Sequence, residues 1–455
     1  MNDQQSGAPK LERSISLTGA IALVVGGVVG AGIYVMVAEI GANAGSAFWL
    51  ALVAAMLMSL IGVIPTIQLA GALPRDGAGY FFSSRMLNPF LGVMVSYWVI
   101  MGAAASTCVV AITLAHFVQP GLSALLSMPV SLHVTGALLL YVFWVVILFG
   151  LHLAMSLQVI MALQFITSLL LYAILGVASV PLEIGFLPPV GVDKFLAAIL
   201  LSYTLCMGFQ VVAEMGEEIV DARRNIPLAL IIGGALVAVI YVTVGQVFVS
   251  QFPGHPDTPM DTTKTLTDTA ASFMPGWMLP YLALGAITAG ITSLNAAAIA
   301  IPREIFAQAR DGLLPAWFGK VSPRTHAPQN AVSVYFLFVG LLLLTHQAKD
   351  FYGVAAAIGI LVMSAVLCVA CLQLPRKCPA QYRAAYIVFP YWLLVFCTVF
   401  TVLVSLFFCV VVLFEQPRVA WLYIAWTALV AVLYLARTRR WNETDWARTK
   451  SLLEE

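Results

Sequence analysis

Apolar residues fall along this chain in twelve long blocks, set apart by short polar, glycine-rich or proline-rich breaks. A run of about 20 apolar residues is what one helix needs to cross a hydrocarbon core. On that rule the blocks predict membrane-spanning helices near 16–41, 45–72, 89–118, 131–151, 156–180, 194–221, 227–250, 277–309, 330–346, 352–374, 386–414 and 417–437. Several are longer than a single crossing, which predicts tilt or an internal break. Three connections are long: 73–88, 251–276 and 310–329. The second opens with proline and glycine, which predicts a turn, and its threonine-rich continuation predicts a short lid helix.

Two blocks carry glycine in mid-span. The first reads VVGGVVGAGIYVMV around Gly30-Ala31-Gly32, and the second reads SYTLCMGFQVVAEMGEE around Gly208-Phe209. A broken membrane helix exposes backbone donors and acceptors that lipid cannot satisfy, so it is tolerated where a cavity or ligand supplies partners. Gly-x-Gly also lets helices approach closely. Paired breaks in matching halves, however, are the sequence mark of a secondary transporter's binding site. Spans one to five and six to ten follow one plan with opposite topology, which predicts an inverted repeat over 16–180 and 194–374. Spans eleven and twelve (386–437) and the polar tails (1–15 and 438–455) lie outside it.

Composition removes other classes. Of 455 residues, 61% are hydrophobic and 9% charged, with mean hydropathy +0.97, which no soluble globular domain matches. Net charge is only +1, so the basic residues report topology, and no nucleic-acid partner is expected. Of the 22 lysines and arginines, all but Lys194, Lys264, Lys349 and Arg418 fall on the side of the N-terminus. The positive-inside rule then places both termini in the cytoplasm of a multi-pass plasma (inner) membrane protein. The polar start and long first block predict no cleavable signal. None of the seven cysteines falls in a predicted external loop, so no disulfide-linked partner is expected. Cys368 and Cys371 have C-x-x-C spacing on a membrane helix with no histidine nearby, which favours packing over metal or redox chemistry. The six histidines are scattered and no phosphate-binding glycine loop is present, so neither a metalloenzyme nor an ATP-driven pump is expected. No enzyme activity and no cofactor are expected, apart from a coupling ion.

The segments VVGAGIY (28–34), LPRDGAGYF (73–81), GFQVVAEMGEEIVDARRNIPLA (208–229) and SLNAAAIAIPREIFAQARDGLLP (293–315) resemble, in order and spacing, the amino acid–polyamine–organocation (APC) superfamily of transporters. The resemblance covers residues 12–435. It implies an all-α membrane fold of twelve helices, a LeuT-like five-plus-five inverted repeat with two further helices, and transport of amino acids or amines by alternating access.

The residues themselves suit an amino acid. A break in span one leaves amide N–H groups near Ala31, Gly32 and Ile33 at the start of a half-helix, where the dipole favours a carboxylate. A break in span six leaves carbonyls near Tyr203, Cys206 and Met207, before Gly208, at a half-helix C-terminus, which suits an ammonium group. The candidate side-chain walls are Val28, Met101, Ala105, Tyr203, Cys206, Gln210, Ser293 and Ala297. They hold no acid and no base, which predicts a neutral substrate. Tyr203 stands where the similar fold places an aromatic gate, although an aromatic at one helix position is also common packing.

Coupling is read from the resemblance. Proton-coupled relatives often place a lysine on span five, and here that span (156–180) has none. AGITS (289–293) is similar to the sodium-ligating segment of neurotransmitter:sodium symporters, and YTLCMGF (203–209) to their sixth helix. By that resemblance the sodium ligands are the carbonyls of Gly26, Val29 and Ala289 and the hydroxyls of Thr292 and Ser293. Oxygen donors suit a hard cation, while Thr and Ser on membrane helices also bond their own preceding carbonyls. Gln68 and Gln210 stand where relatives carry acids, which removes charge. Glu214, Glu217 and Glu218 share one face if span six is helical to its inner end. Glu214 is then a gate or coupling candidate that lines the pathway, carries a proton or pairs with an inner arginine. The reading is a sodium symporter of a neutral amino acid; the alternative is a sodium-independent exchanger or proton symporter.

Overall fold

A computed structural model of the chain describes residues 11–30, 32–187, 191–252, 262, 264–443, 445, 446 and 449. Among them the secondary structure is helical, with two isolated bridges, Ile15 with Ile219 and Asp76 with Met215. The helices are α1 (Leu17–Val29), α2 (Gly32–Ala44), α3 (Phe48–Ala72), α4 (Ala78–Met86), α5 (Pro89–Leu126), α6 (Leu132–Leu148), α7 (Leu151–Ser179), α8 (Val192–Leu205) and α9 (Ala222–Val249). They continue with α10 (Leu266–Ala270), α11 (Leu279–Ala300), α12 (Pro302–Arg310), α13 (Gln329–Leu343), α14 (Lys349–Cys371), α15 (Leu374–Lys377), α16 (Pro379–Arg383), α17 (Tyr391–Glu415) and α18 (Pro417–Thr438). Among the described residues, ten stretches are long and apolar enough to cross a membrane, and the shorter apolar helices α6 and α13 occupy the predicted fourth and ninth blocks.

Local chemistry sets the helix ends. Ser16 caps α1 by accepting from Gly19 N, Asn88 caps α5 ahead of Pro89, and Ser131 caps α6. Helix α1 lies at the centre, packed on α7, α9 and α11, while α5 packs along α14 and α3 along α9. Helices α17 and α18 are the least buried stretches, at the edge of the bundle. The predicted lid region holds α10, closed by a capping box between Thr265 and Asp268; residues 253–261 and 263 of that loop lie outside the described set.

Two sequence expectations change. Residues 73–88, read as a loop, contain helix α4, all nine residues of it buried. Span six, read as helical over 194–221, is α-helical only to Leu205. It continues as a 3-10 turn, Phe209–Glu214, and then as turns to Asp221. Here the backbone bonds sideways. Gly77 N donates to Glu214 O (3.1 Å), Ser14 N and Ile15 N to Glu218 O (both 3.0 Å), Val220 N to Ile15 O (2.9 Å), and Glu217 N to the Asp76 side chain (2.8 Å). Groups committed to the N-terminal segment and the 73–77 loop cannot form an i→i−4 ladder. The helical-face relation expected for Glu214, Glu217 and Glu218 therefore does not exist.

Candidate functional site

The first break is a sharp one. Helix α1 stops at Gly30, whose φ of 45° lies in the left-handed region, and α2 restarts at Gly32. Ala31, a candidate donor, lies outside the described residues. The first N–H groups of α2, at Gly32 and Ile33, have no partner within their own helix. The second break falls at Cys206–Gly208, with Gly208 at φ 111°. The two breaks meet backbone to backbone: a Cβ on Gly208 would stand 2.7 Å from Gly27 O, and one on Gly32 would stand 2.6 Å from Leu205 Cδ2. Only glycine allows that approach.

Carbonyls freed at both breaks converge on one side chain that no sequence pattern singled out. Tyr241, buried on α9, has its hydroxyl 3.1 Å from Val29 O, 3.3 Å from Val28 O and 3.5 Å from Leu205 O. One O–H proton serves three acceptors, so the negative ends of α1 and α8 stay under-satisfied toward each other. Cys206 O accepts from Ser59 Oγ at 2.5 Å. Tyr241→Phe keeps the ring and removes the donor. It is expected to cost about 1–2 kcal/mol in stability and to slow transport, measured by thermal unfolding and vesicle uptake.

Beside α1 the proposed cation ligands gather. Ser293 Oγ donates to Gly26 O (2.6 Å), Thr292 Oγ1 donates to Ala289 O (2.8 Å), and a Cβ on Gly30 would stand 2.9 Å from Ser293 Oγ. Gly26 is also against Thr292, since a Cβ there would stand 3.0 Å from Thr292 Cβ. Val29 O instead faces Tyr241. A residue not foreseen completes the cluster. Gln158 of α7 is fully buried, donates through Nε2 to Ala22 O (3.1 Å), packs against Gly26 and accepts from Asn295 Nδ2 (2.9 Å). A polar side chain in the apolar run of span five was the available signal.

The side-chain walls are spread more widely. Val28 and Ile33 are buried beside the first break and Cys206 at the second, while Met207 and Ala297 are half-buried. Met101 and Ala105 are buried on α5, which packs on α11 and α14. Gln210 turns to α14, donating to Ser364 Oγ at 2.9 Å. Tyr203 stacks on Phe408 of α17, ring centroids 5.2 Å apart, so its ring faces the bundle edge.

Residues 15–433 match the sequence model of the amino acid permease family, nearly the whole chain. The chain belongs to that family. The permease is 26% identical over 361 residues to an uncharacterized transporter of Mycobacterium bovis, covering 78% of this chain and 79% of the relative. It is 24% identical over 395 residues to the branched-chain amino acid permease BcaP of Bacillus subtilis, covering 83% and 84%. It is 25% identical over 370 residues to the vacuolar cationic amino acid transporter 4 of Arabidopsis thaliana, covering 76% and 61%. It is an amino acid transporter of the APC superfamily, a multi-pass membrane protein and not an enzyme.

At one end of the permease, charged residues meet where α4, the 209–221 segment and α12 pack. Arg303 Nε and Nη2 hold Glu218 Oε1 and Oε2 at 2.7 and 2.9 Å. Arg310 holds Glu217 at 2.7 and 2.8 Å, and Arg85 holds Asp311 at 2.6 and 2.9 Å. Tyr80 adds its hydroxyl to Asp311 at 2.5 Å. Each is a charge-assisted contact, and the three forked arginines fix orientation as well as distance. Glu214 finds no arginine among the described residues: its Oε2 accepts from Ala78 N (2.8 Å) at the start of α4, and Glu304 accepts from Tyr80 N (3.0 and 3.2 Å) two residues on. Asp76 is wholly buried. Burial first, then Glu218 and Glu217, push its carboxyl well above the usual range.

Proposed function

We propose that the permease carries a neutral amino acid in symport with sodium, by alternating access about the two helix breaks. The twelve blocks then form two inverted copies, 16–180 and 194–374, with 386–437 outside and both termini cytoplasmic in the plasma (inner) membrane. One observation carries the reading: the breaks at Gly30 and Gly208 face each other, with N–H groups at Gly32 and Ile33 on one side and the carbonyls of Val28, Val29 and Leu205 on the other. Donors and acceptors at helix ends suit the two poles of a zwitterion without a charged side chain. The candidate walls are Val28, Met101, Ala105, Tyr203, Cys206, Gln210, Ser293 and Ala297, none of them an acid or a base. That favours a substrate like the one in the Bacillus relative's name over the cationic one in the Arabidopsis relative's. Sodium is supported by the oxygen set of Gly26, Val29, Ala289, Thr292 and Ser293, of which Gly26, Thr292 and Ser293 stand in contact.

A second reading, sodium-independent exchange or proton symport, is favoured by Gln158. Its amide places a neutral donor against Gly26, beside that oxygen set. Uptake of leucine into proteoliposomes with sodium, potassium or choline outside separates the two. Faster uptake in sodium, with that advantage lost in Thr292→Ala, is the expected result; equal rates in all three salts would reject sodium coupling.

A further inference from the structure

We propose that Glu214 and Glu304 form a proton-binding site, one proton held between two buried carboxyl groups, on the inner gate of the permease. Both carboxyls lie buried against the first residues of α4: Glu214 Oε2 accepts from Ala78 N, and a Cβ on Gly79 would stand 2.7 and 3.5 Å from Glu304 Oε1 and Oε2. Ionised carboxylates only accept hydrogen bonds, so two of them sharing this buried place are reconciled by a proton on one. The remaining oxygens have donors: Ala78 N for Glu214 Oε2 and Tyr80 N for both oxygens of Glu304. Glu214 Oε1 alone is buried with no donor, on a residue 1% exposed, and is the atom left for the shared proton.

Charge counting points the same way. The titratable and charged groups on the elements packed around the pair are Asp76, Tyr80 and Arg85 from the 73–77 loop and α4, Glu217 and Glu218 from the turns after the second break, and Arg303, Arg310 and Asp311 from α12 and its end; α5 contributes the neutral Ser96. Arg303, Arg310 and Arg85 each already hold a carboxylate of their own, and Arg75 lies 3.9 Å from Glu217. Asp76, Glu214 and Glu304 are left without an arginine. Two adjacent buried carboxyls cannot both ionise cheaply, and they titrate as a pair. A proton taken from water at the inner face forms the O–H bond on Glu214 Oε1. Its loss to water leaves two like charges in contact, pushing α12 away from the 209–214 turn and loosening α4 between them. The protonated pair therefore holds the inner side shut, and rising inner pH opens it. The gating step rests on the alternating-access reading; the proton site does not.

Infrared spectroscopy of the purified permease, without substrate or sodium, reads the site directly. At neutral pH the wild type is expected to show the carbonyl stretch of a protonated carboxylic acid. The component of that band due to the pair disappears in both Glu214→Gln and Glu304→Gln; Asp76→Asn leaves it and removes only what the separate Asp76 carboxyl adds. Should a glutamine variant not fold, the matching aspartate variant replaces it, and the band must shift. A wild type without the band, or a band unmoved in the variants at 214 and 304, overturns the site. In proteoliposomes, Glu304→Gln is expected to lose the response of uptake to inner pH that the wild type shows; the same pH profile in both overturns the gating step.

Discussion

Replacing Arg303 with alanine is expected to destabilise the permease by about 3–5 kcal/mol, because it strands a buried carboxylate. Arg303 is 1% exposed, and Glu218 lies wholly inside beside it. Its guanidinium fills both oxygens of Glu218 and also donates to Ile299 O near the end of α11. One side chain therefore ties α12 to the turns that follow the second break. Glu218→Ala should cost about as much, since it leaves the charge on the other partner. The double replacement Arg303→Met with Glu218→Leu should recover most of the loss, because the price of a buried ion pair falls when both charges go together. Thermal unfolding in detergent checks all three. A double variant as unstable as the sum of the singles would show that packing around the stems, rather than stranded charge, sets the cost.

Gly208→Ala is expected to abolish transport while costing about 2–5 kcal/mol, combining a left-handed backbone penalty with overpacking. Gly208 has φ 111°, and the added methyl would stand 2.7 Å from Gly27 O and 3.2 Å from Gly27 C. These are backbone atoms of the other broken helix, so no side-chain rotation relieves the clash, and the two breaks must part. Gly340→Ala and Gly276→Ala are the controls, since nothing stands within 4 Å of either added methyl. Vesicle uptake and thermal unfolding of the three variants separate the effects. Normal uptake by Gly208→Ala would mean that the contact between the breaks has no part in the transport cycle.

The sequence made the helices legible because crossing lipid imposes long apolar runs, and it made the breaks legible because glycine in such runs has few uses. It misled at 215–221. There an amphipathic string of acids reads as helix, but the backbone is held by Asp76 and by the strand-like segment at Ser14 and Ile15, distant partners that no local pattern reveals. Helix α4 was hidden for a related reason: its first N–H groups are capped by Glu214 and Glu304, more than a hundred residues away. Tyr241 was missed because a tyrosine on an apolar span looks like packing until both helix ends are seen to converge on it. Gln158 and Asn295 sat in apolar runs and could have been flagged by polarity alone.

The hydroxyl of Ser293 resting on Gly26 O has a meaning for the empty half of any carrier cycle. If sodium is carried as proposed above, its departure need not strand the ligands, because the hydroxyl proton swings back onto the carbonyl it had released. Occupancy then competes with an internal partner worth about 1 kcal/mol, a small tax on affinity. In exchange, an unloaded carrier of this kind would change its open side with no unanswered oxygen at its centre.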